Sequence, residues 1–431
     1  MRVLVIIALL SMGVSAEAQK KGNPLTVQQA TLAISKVMMH DVVNPPAASR
    51  FYSYSLMGAY HLVTVKNKSY KPLEQLLTNR PTLSVLATKQ KYDYEVAAVY
   101  CILESGRLLL PSGFSLEEDI AAYEQALKKS GLNQETVKTS IEVAKDLAKQ
   151  VVVWSRGDGY FKLSTLRRYT PVKGDQYWYP TPPAYMEAVE PNWRTIRTLF
   201  LDSAQQYKPV PPTPFSKDTT SKFFEMAKEV YQLTKPMTEE HAAIAAFWDC
   251  NPFAIATSGH MMLGFKKFSP GTHWINITGI ACNKVKANFD KTVFAHFMVA
   301  ATLRDAFISC WDEKYRSNRV RPETFIIKNI DPKWEPLLQT PPFPEYTSGH
   351  SVISSASAEV LTYIFGDNFS FTDDSEMMFE LPARNFKSFR AAAQEASVSR
   401  IYGGIHYRDA VDAGVEQGKK IGEYVVRRIS N

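Results

Sequence analysis

The stretch Thr292–Tyr315, TVFAHFMVAATLRDAFISCWDEKY, decides how this chain folds. Its apolar residues Val293, Phe297, Ala300, Leu303, Phe307 and Trp311 recur at steps of three and four, the spacing that lines up one face of an α-helix. Working outward, Thr82–Leu110 repeats the pattern with Leu83, Leu86, Val96, Val99, Leu103 and Leu108. Ser351–Phe365 and Ile405–Ile429 also read as helices. Few segments alternate with period two, so the fold class is all-α. Tyr207–Phe215, YKPVPPTPF, holds four prolines in nine residues and cannot be helix interior. We take it as a stiff connection. The pattern predicts an N-terminal helical half over 19–206, a Pro-rich linker over 207–217 and a C-terminal helical domain over 218–431.

The bulk numbers set the class. The chain has 431 residues, 45% of them hydrophobic and 22% charged, enough to bury a large core. Residues 1–18 read as a secretory signal peptide. Arg2 precedes an apolar run from Val3 to Val14, and Ala16-Glu17-Ala18 has the small-x-small pattern of a cleavage site. That run is too short to span a bilayer, and no later stretch offers a long uninterrupted apolar run. The expectation is an exported protein, periplasmic or secreted, with no stable membrane anchor. The net charge of +7 comes from scattered Lys and Arg with no basic run, which argues against nucleic acid as a partner. The cysteines Cys101, Cys250, Cys282 and Cys310 are far apart and form no CxxC pair. That spacing contains no zinc motif, and leaves disulfides and buried thiols both open.

Three segments of the second half carry chemistry. Lys314-Tyr-Arg-Ser-Asn-Arg-Val-Arg321-Pro322 places two cations two helical turns apart, and Pro322 disfavours helix at Arg321. Glu345-Tyr-Thr-Ser-Gly-His-Ser351 follows Pro341, Pro342 and Pro344, which keep the approach extended. Ser348 suits an N-cap, Gly349 admits close backbone approach, and the free N–H groups of a helix start favour an anion. His350 stands where it can exchange a proton near neutral pH. In Ser399-Arg400-Ile-Tyr-Gly-Gly-Ile-His406, Gly403-Gly404 ends one helix, and His406 is expected in the first turn of the next. An earlier TSGH, ending at His260, lies outside this order and reads as structural. His40, Asp41, Arg50 and His61 in the first half read as core or surface. Together the three segments supply three fixed cations, a hydroxyl, a helix N-terminus and two histidines: an oxyanion cradle with a nucleophile and an acid.

The order K-x6-RP, then SGH, then SR-x5-H resembles the superfamily of type 2 phosphatidic acid phosphatases, bacterial acid phosphatases and vanadium-dependent haloperoxidases, over Thr292–Ser430. The stretches FWDCNPF (Phe247–Phe253), SPGTHW (Ser269–Trp274) and YPTPPAY (Tyr179–Tyr185) resemble the larger bacterial haloperoxidase-like proteins. The resemblance implies two packed helical bundles with the site on the C-terminal one, and an N-terminal half serving as scaffold and as the surface of a homodimer. It implies that Lys314, Arg321 and Arg400 bind the oxygens of phosphate or vanadate, helped by Ser348 and the Gly349 N–H. His406 would be the vanadium ligand or the phosphorylated nucleophile, and His350 the general acid/base. Two positions depart from the pattern. Thr347 stands where proline is usual, and Ala410 where an Asp orients the last histidine, with Asp409, Asp412 or a carbonyl as substitutes.

Trp311 and Phe343 resemble the chloroperoxidase and iodoperoxidase branches, and would line a halide or substrate pocket, the Trp offering a dry wall and an N–H. The lead expectation is therefore a vanadate cofactor and halide oxidation by hydrogen peroxide. The alternative is phosphate-ester hydrolysis through a phosphohistidine, with no cofactor. The third is a relic that holds phosphate without turnover. No cluster for a divalent metal is visible in any of these readings.

Overall fold

A computed structural model describes residues 23–430 apart from 259, 260 and 265. The signal-peptide reading and His260 therefore fall outside the described residues. The N-terminal half carries α1 (Val27–His40), α2 (Pro45–Lys66), the single turn α3 (Leu73–Leu76), α4 (Tyr94–Leu109), α5 (Leu116–Lys129) and α6 (Gln134–Ser155). The C-terminal half carries α7 (Lys222–Thr234), α8 (Glu239–Phe247), α9 (Pro270–Lys284) and α10 (Phe289–Ser317). It continues through α11 (Pro322–Asn329), α12 (Gly349–Phe365), α13 (Phe389–Tyr402) and α14 (Arg408–Ser430). Two small antiparallel hairpins, β1 (Ile255–Ser258) with β2 (Met261–Gly264) and β3 (Phe371–Asp373) with β4 (Arg384–Phe386), are the described strands. The protein is all-α.

α10 is the axis of the molecule. It is long and apolar enough to cross a membrane, but it lies almost wholly buried inside the fold, packed on α2, α9 and α12. One apolar core runs from Val27 to Ile429 through both halves. Charged residues of α10 tie the halves as well. Asp305 accepts the backbone N–H groups of Leu199, Phe200 and Leu201 at 2.7–2.9 Å, and Arg304 donates to the Arg197 carbonyl at 2.7 Å.

The site is positioned by a close contact between α12 and α14. Gly414, Gly418 and Gly422 recur every four residues on α14 and form a trough. A Cβ at Gly418 would sit 2.1 Å from the Val352 carbonyl oxygen, and one at Gly422 would sit 2.7 Å from that of Ala356. Only glycine permits this approach. The Ser348 N–H then donates to the Ala410 carbonyl at 3.0 Å, fixing the start of α12 against the start of α14.

Three expected elements differ. Residues 82–93 are not helical, and α4 begins at Tyr94, where Asp93 caps the Glu95 and Val96 N–H groups. Leu86 is correspondingly exposed. Lys314 and Arg321 do not share a helix: α10 stops at Ser317, Asn318 takes a left-handed conformation, and Arg321 is the extended N-cap of α11 with Pro322 at its first position. His406 precedes α14 by two residues rather than lying within it, because the Tyr407 N–H is bonded to Glu345 instead of entering a helical ladder. All four cysteines are free and buried.

Candidate active site

The ends of five helices converge on one cavity at the C-terminal side of α10. Lys314 comes from the last turn of α10, Arg321 from the cap of α11, and Ser348, Gly349 and His350 from the start of α12. Arg400 sits in the last turn of α13, and His406 in the link to α14. Trp311, Phe343, Gly349, His350, Arg400 and His406 line the cavity, and the loop Asp249–Phe253 closes its rim.

His406 is held from both sides. Its Nδ1 lies 2.7 Å from Glu345 Oε1; a carboxylate only accepts, so Nδ1 carries the proton and Nε2 is left with its lone pair. Arg321 Nη1 donates to Nε2 at 3.1 Å. Burial, then the charges of Arg321 and Lys314, hold the imidazole well below the ordinary histidine range, so it is neutral at pH 7. Glu345 is in turn fixed. Its Oε1 also accepts the Tyr407 N–H at 3.0 Å, and its Oε2 accepts Arg319 Nε at 2.7 Å. Arg319 forks onto both oxygens of Asp409 at 2.7 Å.

The orienting carboxylate is therefore Glu345. Asp409 acts one residue further back, through Arg319, and Asp412 is exposed. Sequence reasoning missed Glu345 and Arg319. The available signal for Glu345 was a lone carboxylate in the apolar, Pro-rich approach PPFPEYT, whereas Arg319 is one of four cations in KYRSNRVR and nothing sets it apart.

The cations differ in how they are engaged. Lys314 Nζ faces three carbonyls, those of Pro344 (3.1 Å), Glu345 (3.0 Å) and Thr347 (2.5 Å), so its donors brace the loop before α12. Burial pulls its ammonium down to about 7. Thr347, at the position where the motif has proline, presents that carbonyl while its hydroxyl donates to Gln417 at 2.8 Å. Arg321 donates from Nε to Phe343 O and from Nη1 to Ile405 O. Arg400 donates from Nη1 to Trp248 O at 3.2 Å and lies 3.1 Å from His350 Nε2. Arg321 Nη2, Arg400 Nε and Arg400 Nη2 are buried without a hydrogen-bond partner. Ser348 caps α12 by accepting the Ser351 N–H at 3.3 Å, as its position suggests. The Gly349 N–H belongs to the first turn of α12, which has no intrahelical acceptor. Burial and the Arg400 charge hold His350 well below its usual range, so it too is neutral.

Trp311 and Phe343 form an apolar wall, ring centroids 4.9 Å apart. The Trp311 indole N–H, expected to face the cavity, instead donates to the Val189 carbonyl at 3.1 Å. The N-terminal half supplies that acceptor, so Trp311 offers the cavity only its ring.

Residues 294–431 match the family model described as the VCPO second helical-bundle domain. The chain is similar to a bacterial vanadium-dependent iodoperoxidase of known crystal structure, at 42% identity and a TM-score of 0.86, covering 93% of this chain and 94% of that one. It also superposes on a bacterial vanadium-dependent chloroperoxidase in its holo form, with a TM-score of 0.64 at 14% identity, covering 90% and 93% of the two chains. The apo form of such a chloroperoxidase gives 0.63 at 13%, covering 90% and 95%. The chloroperoxidases share the fold. Among curated proteins, none matches the chain.

Proposed function

Because this chain belongs to the vanadium-dependent haloperoxidase family, we propose that it oxidises iodide with hydrogen peroxide, using vanadate held among Arg321, Arg400 and His406. It is a haloperoxidase-like oxidoreductase. The observation that carries the vanadate reading is the set of three buried guanidinium nitrogens without partners. A buried unpaired donor costs roughly 1–3 kcal/mol, more when charged. A tetrahedral oxyanion supplies acceptors to all three and charge to a pocket whose carboxylate, Glu345, already faces Arg319 and His406. The residues present thus fit vanadate. His406 Nε2 would be its protein ligand, Arg321 and Arg400 would neutralise its oxygens, and Ser348 and the Gly349 N–H would add hydrogen bonds. Lys314 would contribute charge from behind the loop it braces.

Vanadate, when bound, supplies a Lewis acid that activates peroxide for oxygen transfer to halide. The chain supplies the rest. Neutral His350 at the rim can accept a proton at Nε2, and Arg400 beside it disfavours retention of that proton. Trp311 and Phe343 exclude water on one side and offer an apolar, polarizable face, which suits a large, weakly hydrated halide. Iodide is favoured among halides by the iodoperoxidase relative at 42% identity. Export is supported by the basic, apolar and small-residue pattern of residues 1–18.

The test is iodide oxidation by purified, phosphate-free protein with hydrogen peroxide, before and after orthovanadate. Activity should appear only with vanadate and be competed by phosphate. Absence of oxidation with vanadate demonstrably bound would overturn the reading and favour phosphate-ester hydrolysis on the same cradle.

Glu345→Gln provides a sharper check on His406. The amide keeps the size of the side chain, but its NH2 can face Nδ1 and favour the other imidazole tautomer, which puts a proton on Nε2. Loss of a partner that orients a metal-binding histidine typically costs about 10–100-fold. We expect that drop in vanadate-dependent turnover, with Arg319 still held by Asp409. Unchanged turnover would mean that Glu345 does not set the tautomer.

A further inference from the structure

We infer that Cys250, His273 and Glu376 form a tetrahedral site for a divalent ion of the zinc class, set behind the wall of the active-site cavity. Three separate elements bring them together: the loop after α8, the first turn of α9, and the turn after β3. The wide spacing of the cysteines hides this cluster from the sequence, where it belongs to no ligand motif.

Two of the three donor spacings are those of a coordination sphere. Cys250 Sγ lies 3.3 Å from His273 Nδ1, and Nδ1 lies 3.4 Å from Glu376 Oε1. All three donor atoms lie within 4.8 Å of one another, and all three residues are buried. Around a tetrahedral ion with metal–sulfur bonds of about 2.3 Å and metal–nitrogen or –oxygen bonds of about 2.0–2.1 Å, neighbouring donors stand about 3.3–3.6 Å apart.

Two further observations point the same way. First, His273 Nε2 faces Asp373 Oδ2 at 2.7 Å, and that carboxylate is itself fixed by the Ser375 N–H and hydroxyl. A carboxylate on the outer nitrogen is the partner that aims the inner lone pair of a ligating histidine. Second, Glu376 Oε1 is buried, faces the cluster and has no hydrogen-bond partner. Oε1 and Nδ1 face each other at 3.4 Å across a buried space, and a cation between them would satisfy the carboxylate. Thiolate, imidazole and carboxylate form a donor set suited to zinc, with the fourth position open.

An ion here would brace the pocket. Cys250 belongs to the loop that closes the cavity rim. The adjacent Trp248 ring stacks on His273 with centroids 4.5 Å apart, and the Trp248 carbonyl accepts the Arg400 guanidinium. The ion would thereby fix the loop that holds Arg400, and it would do so whatever reaction the cavity performs.

Cobalt(II) and zinc are the probes, with the purified full-length chain. One cobalt ion should bind per chain, with a near-ultraviolet thiolate-to-metal charge-transfer band and the intense visible bands of a tetrahedral ion. Zinc should displace it and bleach both. Cys250→Ser should remove the charge-transfer band and weaken cobalt binding at least tenfold, and Glu376→Gln should weaken binding while keeping the band. His40→Ala, on an exposed helix end, should change neither. The wild-type spectrum decides even if a variant fails to fold. No cobalt bound by the folded chain, cobalt bound without the thiolate band, or a band that survives Cys250→Ser would each overturn the site. The first of these outcomes would leave a proton, not a metal, between Glu376 and His273.

Discussion

The His406→Ala protein should retain its fold and lose at least about three orders of magnitude of vanadate-dependent turnover, the scale on which removal of a central nucleophile or ligand acts. The loss follows from geometry. With Nδ1 protonated toward Glu345, His406 presents a neutral nitrogen lone pair to a pocket otherwise walled by cations. Burial and Arg321 keep that nitrogen unprotonated throughout the neutral range. Among the described residues no other imidazole replaces it, since His350 sits beside Arg400 at the rim. The fold survives because Glu345 keeps Arg319 and the Tyr407 N–H, so no buried carboxylate is left unpaired. Steady-state rates at saturating vanadate, paired with thermal melting, separate the two effects. Turnover within tenfold of the native enzyme would remove His406 from the centre of the site.

How much of this was legible before the fold was known depends on what each residue leans on. α10 and α12 were readable because their large apolar side chains recur at helical steps, even though both helices are buried almost all round. Residues 82–93 misled for the same reason. Leu83 and Leu86 fall on helical spacing, yet Ser84 exchanges both backbone hydrogen bonds with the distant Gln150 amide, and the segment forms no helix. The three motif segments were readable by their order, and the fold brings them together, with Arg321 on His406 and Arg400 beside His350. What lay beyond reach was the support behind them. Glu345 orients His406 across 61 residues of sequence, and Val189 takes the Trp311 N–H across 122. Nothing local marks such partners, because they depend on which loops the tertiary fold brings together. Lys314 shows the same limit: its charge was evident, but not the three carbonyls that surround it.

Asp158→Ala should cost about 3–5 kcal/mol of stability, the penalty of leaving buried charges without their counter-ion. Asp158 joins the two halves. Its Oδ2 accepts Arg50 Nε from α2 at 2.6 Å, the Tyr54 hydroxyl at 3.0 Å and Arg304 Nη2 from α10 at 3.3 Å. Its Oδ1 accepts the Tyr160 N–H at 2.9 Å. Arg50 and Arg304 are buried, and their rings of contact, Tyr160 at 4.3 Å and Tyr54 at 4.5 Å, attract cations but carry no net charge. Removing the carboxylate therefore strands two guanidiniums in the core. Burial alone would raise the Asp158 pKa, but Arg50 and Arg304 outweigh it and hold the carboxyl below the ordinary range. A depressed folded-state value means that this stabilisation is complete above the unfolded-state value of about 3.9 and disappears as pH falls through the lower folded one. The variant should melt several degrees below the native chain at pH 7, and the gap should close as the native chain approaches acid unfolding. A loss under about 1 kcal/mol by denaturant titration would show that Tyr54 and the backbone carbonyls suffice to hold the two arginines. Since α10 also carries Trp311 and Lys314 at its far end, the same variant should lose turnover in step with its folded fraction and no further.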